Sequence, residues 1–441
     1  MATTYFYRTP TAGNRRTWTF SAWVKRGTLG ARQGIYNVNG GSNPYNMFEF
    51  IATDALKLED YDGGTDTELI TTRLFRDVGA WYHIVVAYDT TQATPADRIK
   101  LYVNGVQETD FSTETYCAQD FDTEMNTTVQ VDFGKEQSNY FDGVMAHAHL
   151  TDGTAYAPTA FGEFDTTSGI WVAKTGPSVT YGTNGFFLKF ASGALGTDSS
   201  GEGNNMTVSG TMTNTKDTPD NNFATINPLD NYLQVATFSN GNNTVVTGSD
   251  KYPPSTSTIG MTSGKWYWET KAVARGGSSE YLVGISSTQY TLVAQELGNM
   301  DNDWGYYSSN GNYRNENSNT AYGDTYDTGD IIGCAVDLTN LKLYFSKNGV
   351  WQNSGVPTSG ATGTGAISIT AVASTPLEAY FAAISYWGAS TGTFNTNFGN
   401  GYFGTTAISS GNADDAGEGD FEYDVPAGYY ALCTNNLGDQ S

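Results

Sequence analysis

The chain has 441 residues, 51 of them Gly and 29 Tyr, and a formal net charge of -24. Acids outnumber bases 46 to 22, which excludes a nucleic-acid groove built on clustered Lys and Arg and disfavours anionic membranes. No run of about 18 apolar residues exists to span a bilayer, and the length suggests two or three domains with their own cores.

The N-terminus, Met1–Arg16, is polar and lacks the apolar core of a secretory signal. A chain of this kind that works outside a cell is expected to leave by another route, such as lysis. From Thr17 to Lys25 the pattern alternates. Trp18, Phe20, Ala22 and Val24 fall on one face, and Thr17, Thr19, Ser21, Trp23 and Lys25 on the other. A period of two marks a half-buried strand. Met47–Thr53, Trp81–Tyr88 and Ile99–Val103 read as further strands, separated by Gly, Asn and Asp. Many strands without helical periodicity point to packed antiparallel sheets.

One hairpin is written twice. Lys100–Val106 and Lys342–Val350 both run alternating apolar residues into Asn-Gly, which favours the positive φ angles of a tight turn. Each follows an apolar strand ending in Asp, Ile84–Asp89 and Ile331–Asp337. The repeat predicts two sandwiches of related design. Between them, Gly176 to about Pro228 carries Phe186–Phe190, expected as a last strand docking on the first domain. The Gly/Ser/Asn run that follows reads as a connector. Cys117, Cys334 and Cys433 are widely spaced and form no disulfide framework or CxxC site.

The stretches Trp18–Val24, Trp81–Val86, Lys100–Val106 and Phe141–Ala146 resemble the laminin-G/concanavalin-like jelly-roll family. Lys265–Glu269, Tyr281–Ile285, Asp303–Tyr306, Tyr326–Gly333, the second hairpin, Tyr380–Ile384 and Pro426–Leu432 together resemble the SPRY domain. The resemblances imply an all-β chain of two concanavalin-like antiparallel sandwiches (jelly rolls). Residues 1–175 would form a laminin-G-like domain, 176–228 a connector with one docking strand, and 229–441 a SPRY-like sandwich. The two modules, with the Asp198-Ser199-Ser200-Gly201 and Asn221-Asn222-Phe223 connector, look like surface proteins of tailed bacteriophages. That likeness implies a virion protein assembled in the host cytoplasm. Its partners would be other virion proteins and a bacterial surface glycan or protein, bound by a homo-oligomer.

Chemistry is sparse. Glu418, Asp420 and Glu422 would share one strand face, as the carboxylates of a retaining glycosidase do. An acidic, solvated strand entrance is the favoured reading, because the row lies beside the terminal SPRY-like stretch and outside the jelly-roll segment. His147 and His149 are expected to line the sheet face opposite Val144, Ala146, Ala148 and Leu150, since no Cys or carboxylate at ligand spacing accompanies them to hold zinc. The absence of a plausible His base also argues against a Ser-His-Asp triad. No cofactor is expected. Calcium is a stronger candidate than zinc, but Asp60-Tyr61-Asp62-Gly63 and the loop around Asp301 cannot be assigned as ligands from sequence. Aromatic residues offer the best binding hypothesis: Trp304, Tyr307 and Tyr313, with Arg314, fall in a loop-rich stretch. Of these, Trp304 is expected in the core, and Tyr307, Tyr313 and Arg314 at the surface. The expected function is non-enzymatic adhesion by a tail fibre or appendage. A structural decoration or fibre subunit, and a polysaccharide-degrading hydrolase, are the alternatives.

Overall fold

The computed structural model describes residues 3–38, 43–277 and 279–440. The chain divides into two compact units, Met1–Asn214 and Thr215–Ser441. The stretch read as a connector is thus shared between them.

The first unit stacks an eight-stranded sheet on a six-stranded one. The centre of the smaller sheet is Thr17–Arg26, flanked by Gly143–Asp152 and Tyr82–Asp89. Its alternation is realised: Trp18, Phe20, Ala22 and Val24 all enter the core between the sheets. The opposite face was expected to be open and is not. Thr19, Ser21, Trp23 and Lys25 are buried as well. The cover is the segment after Asp152. Thr19 Oγ1 donates to the Thr154 carbonyl at 2.9 Å and accepts from the Tyr156 amide at 2.7 Å. A hairpin of Gly162–Phe164 and Trp171–Ala173 brings Trp171 over Trp23 and Trp81.

The anticipated last strand is present as Phe186–Leu188, paired antiparallel with Gly143–Asp152. Beyond it, the Asp198 carboxylate accepts the amides of Phe187, Ser200 and Asn204 at 2.8 to 2.9 Å. Thr207–Ser209 then closes the edge of the larger sheet against Tyr5–Arg8. One strand departs from simple alternation. His147 takes φ +46°, and the pairing with Thr17–Arg26 slips between Ala146 and His149. This bulge reverses the phase. Val144 and Ala146 pack outward against the tryptophans, whereas Ala148 and Leu150 enter the core. The expectation that all four share one face is corrected by that one residue.

The second unit also stacks two sheets. One centres on Lys265–Arg275, Ile331–Asp337 and Lys342–Lys347. The other runs Ser255–Thr256, Phe381–Trp387, Glu280–Ser286, Asp303–Tyr307, Asn312–Asn315 and Ser318–Ala321. Trp266, Trp268, Tyr281, Tyr306, Phe345 and Tyr386 fill the core between them.

The repeated hairpin is built identically in both units. Asn104 and Gly105 have φ +48° and +80°; Asn348 and Gly349 have +49° and +79°. Each Asn side chain accepts an amide at the start of the preceding strand, that of His83 at 2.7 Å and that of Ile331 at 2.8 Å. Each Gly lies under an aromatic ring from farther along the chain. A Cβ at either position would stand 2.6 Å from that ring, Trp171 in one unit and Tyr423 in the other.

Candidate functional site

The four residues selected from sequence lie on two paired strands, Asp303–Tyr307 and Asn312–Asn315, and not in a loop. Trp304 is in the core as expected, edge-on to Tyr380 at 5.8 Å. Tyr307 is buried, which corrects its expected exposure. The reason is the segment between Ser286 and Asp303, which folds back over that face and seats Leu297 against Leu282, Tyr307 and Ala383. Burial, with the Glu296 carboxylate beside it, raises the Tyr307 phenol well above its ordinary value. Arg314 is turned inward to pair with Glu296, its side chain only 14 % exposed. Tyr313 is half-buried and packs edge-on against Tyr322 at 6.0 Å. None of the four presents an open aromatic surface.

The open surface lies nearby, on residues that sequence reasoning missed. Leu229, Tyr232, Val235, Leu292, Val293 and Trp387 are between 40 and 65 % exposed. Three chain segments carry them, and contacts through Tyr290 and Tyr252 tie those segments to one another. Tyr232 Oη donates to the Tyr290 carbonyl at 2.6 Å, tying the first segment to the loop after Ser286. The Tyr252 amide donates to the Val293 carbonyl at 3.1 Å, and the Tyr252 ring lies 6.3 Å from that of Trp387. A cluster of large apolar side chains held open to water is a feature that needs an explanation, unlike a single exposed Leu. Asp230, on the first of these segments, and Asp250, beside Tyr252, are exposed. The signal available in sequence was the run Tyr290-Thr291-Leu292-Val293, too apolar for a turn and followed by no strand partner.

The catalytic alternatives can be read from geometry. Glu418, Asp420 and Glu422 do not share a strand face, because residues 413–420 form irregular chain. Glu418 accepts Asn221 Nδ2 at 2.7 Å, whereas Glu422 accepts the Ser409 amide at 2.6 Å. Between them Phe421 is fully buried. The segment is held by Glu269, whose carboxylate accepts the amides of Glu422 and Tyr423 at 2.9 Å and the Tyr267 hydroxyl at 3.0 Å.

Ser21 and His83 do meet, with Oγ and Nε2 at 2.8 Å. Trp171 Nε1, which can only donate, lies 2.9 Å from His83 Nδ1. Nδ1 is therefore the acceptor and Nε2 carries the proton toward Ser21. That tautomer cannot take a proton from the serine. Burial lowers His83 to about 3, so the ring is neutral. His149 stacks on Phe187 at 4.0 Å and faces the Tyr181 hydroxyl through Nδ1 at 3.0 Å. Asp60, one calcium candidate, is buried and bonded to Tyr88 Oη at 2.7 Å and to Asn46 Nδ2; burial pushes it up to about 6. Among the described residues no three His, Cys, Asp or Glu side chains converge as a metal site.

The two sandwiches match two known families. Residues 3–157 match the concanavalin A-like lectin/glucanases superfamily, and residues 265–384 match the SPRY domain. The chain therefore carries a laminin-G/concanavalin-like domain followed by a SPRY domain. It is 30% identical over 94 residues to a Ran-binding proteins 9/10 homolog of Drosophila melanogaster, covering 21% of this chain and 10% of that protein. It is 32% identical over 88 residues to Ran-binding protein 10 of Danio rerio, covering 20% of this chain and 14% of that one. The chain thus spans a seventh or less of either protein. Among solved structures, the SPRY domain of human HERC1 aligns at 16% identity with a TM-score of 0.29, covering 37% of this chain and 92% of that domain.

Proposed function

We propose that this chain is a non-catalytic binding protein whose SPRY sandwich docks a protein partner on the surface of Leu229, Tyr232, Val235, Leu292, Val293 and Trp387. The observation that carries this reading is the exposure of those six side chains on segments tied by the Tyr232 hydroxyl and the Tyr252 amide. Aliphatic side chains outnumber rings on this surface. Burying them rewards an apolar protein surface more than a hydroxyl-rich sugar. Similarity to proteins named for binding Ran supports protein docking through such a domain, though not a particular partner. The neutral, wrongly protonated His83 and the separately engaged Glu418 and Glu422 support a role without catalysis.

The setting we propose is the surface of a tailed-phage virion, in tail fibre, appendage or decoration. The partner there would be another virion protein or a host-surface protein, with many copies raising the avidity. The support is the likeness of the two modules and their connector to such proteins; the relatives named above are eukaryotic.

Docking is tested with a photo-crosslinking residue at position 292, at 387, and at Asn319 as an exposed control. Positions 292 and 387 should crosslink the same protein, and Leu292→Asp should abolish the product from 387. Equal capture from position 319 would refute the docking surface. Immunogold labelling of phage particles tests the setting, and particles without label would remove it.

A further inference from the structure

We infer that Glu296, Arg314 and Tyr307 are positioning residues for this docking surface: a buried latch that fixes the turn carrying Leu292 and Val293. The inference rests on the docking reading given above. The turn itself is short. The Gln295 amide donates to the Leu292 carbonyl at 3.3 Å, and Gln295 Oε1 accepts the Leu292 amide at 3.1 Å. With so few internal bonds, the turn keeps its place through its ties to other segments: the Tyr252 amide on the Val293 carbonyl at 3.1 Å, and the contacts of Glu296 at its downstream end. Beneath it is Glu296, 4 % exposed. Its Oε1 accepts from Arg314 Nη1 and, at 3.2 Å, from Tyr307 Oη, and the Arg314 guanidinium lies over the Tyr307 ring at 5.6 Å.

The downstream side of the loop is tied as firmly. Gly298 has φ +88° and leaves no room for a Cβ, which would stand 2.5 Å from the Arg314 carbonyl. Its own carbonyl accepts the Asn317 amide at 3.0 Å, and the Met300 carbonyl accepts the Glu316 amide at 3.1 Å. The hairpin that carries Arg314 thus grips the loop at its acid and at its exit.

A buried Arg–Glu pair is a weak source of stability, since well-packed apolar residues in its place are often as good or better. What such a pair does supply is a single geometry. Here that geometry is the placement of two of the six exposed apolar side chains. Tyr307 and Arg314, two of the four residues that sequence singled out as binding groups, therefore act on binding through Glu296, without touching the partner.

The experiment compares wild type with the double variant Glu296→Leu/Arg314→Met by hydrogen exchange on the free 441-residue chain, alongside thermal melting. Amide exchange over Thr291–Gln295 should accelerate about tenfold while the melting temperature stays within a few degrees. Unchanged exchange in a folded double variant would overturn the latch. Should that variant not fold, Arg314→Lys, which keeps the charge but loses the planar fork, decides instead. It should accelerate the same amides about threefold or more, and no acceleration overturns the idea. Both readouts use the free protein. Failure of the docking surface would appear separately, as Leu292→Asp leaving partner capture intact.

Discussion

Glu269 gives the sharpest quantitative prediction. Its carboxylate is buried on the strand Lys265–Arg275 and accepts the backbone amides of residues 422 and 423. Burial pushes it up to about 7, against the opposing pull of those amides and of the Tyr267 hydroxyl. A carboxyl raised above its unfolded value near 4.5 stabilises the fold below that value, and the contribution is lost as pH rises through about 7. At about 1.4 kcal/mol per unit, the contribution lost between about pH 5 and pH 8.5 is on the order of 2–3 kcal/mol. Denaturant unfolding of wild type and Glu269→Gln at the two pH values measures it. The Gln variant removes this titration, so its pH-dependent loss should be smaller than that of wild type by about that amount. An identical pH dependence in the two proteins would refute the claim that burial raises the Glu269 carboxyl.

Other perturbations follow from the same contacts. Asp303, pushed up to about 8 by burial, should behave alike, so Asp303→Asn should also flatten the loss of stability on raising pH through that value. Gly105→Ala and Gly349→Ala each force a Cβ onto an aromatic ring at a positive φ; each should cost about 1–3 kcal/mol in denaturant melts, and a neutral result would contradict the shared hairpin design. Trp171→Phe removes the donor facing His83 Nδ1 and should cost about 1–3 kcal/mol. In its NMR spectrum the His83 Nε2 proton should lose its fixed tautomer, and an unchanged tautomer would contradict the assignment. Tyr307→Ala should destabilise the second unit by about 3–5 kcal/mol, because the ring is enclosed; a stable fold with weakened binding would restore Tyr307 as a surface contact.

What could be read from sequence was local. The alternation of Thr17–Arg26 and the Asn-Gly turns at Asn104 and Asn348 are set by residues that are neighbours in the chain, and both appear as expected. What could not be read was which faces are covered by distant chain. Trp171 closes the face of Trp23 from far downstream, and Leu297 closes the face of Tyr307. Alternation gives the two faces of a strand but not what packs on the second one. The His147 bulge reverses a face through a single positive φ with no signature in residue type. The docking surface was invisible for the same reason. Tyr232, Leu292 and Trp387 become neighbours only when three segments converge through Tyr252 and Tyr290.

The most direct measurement takes the partner captured from positions 292 and 387, purified, and titrates it by calorimetry against wild type, Leu292→Asp and Asn319→Asp. Loss of a buried Leu contact worth about 1.5–3 kcal/mol, with a charge placed in its stead, predicts at least about a hundredfold weaker binding for Leu292→Asp. Asn319→Asp, on the exposed edge strand Ser318–Ala321, should bind as wild type does. Equal affinity for all three proteins would contradict docking on this surface.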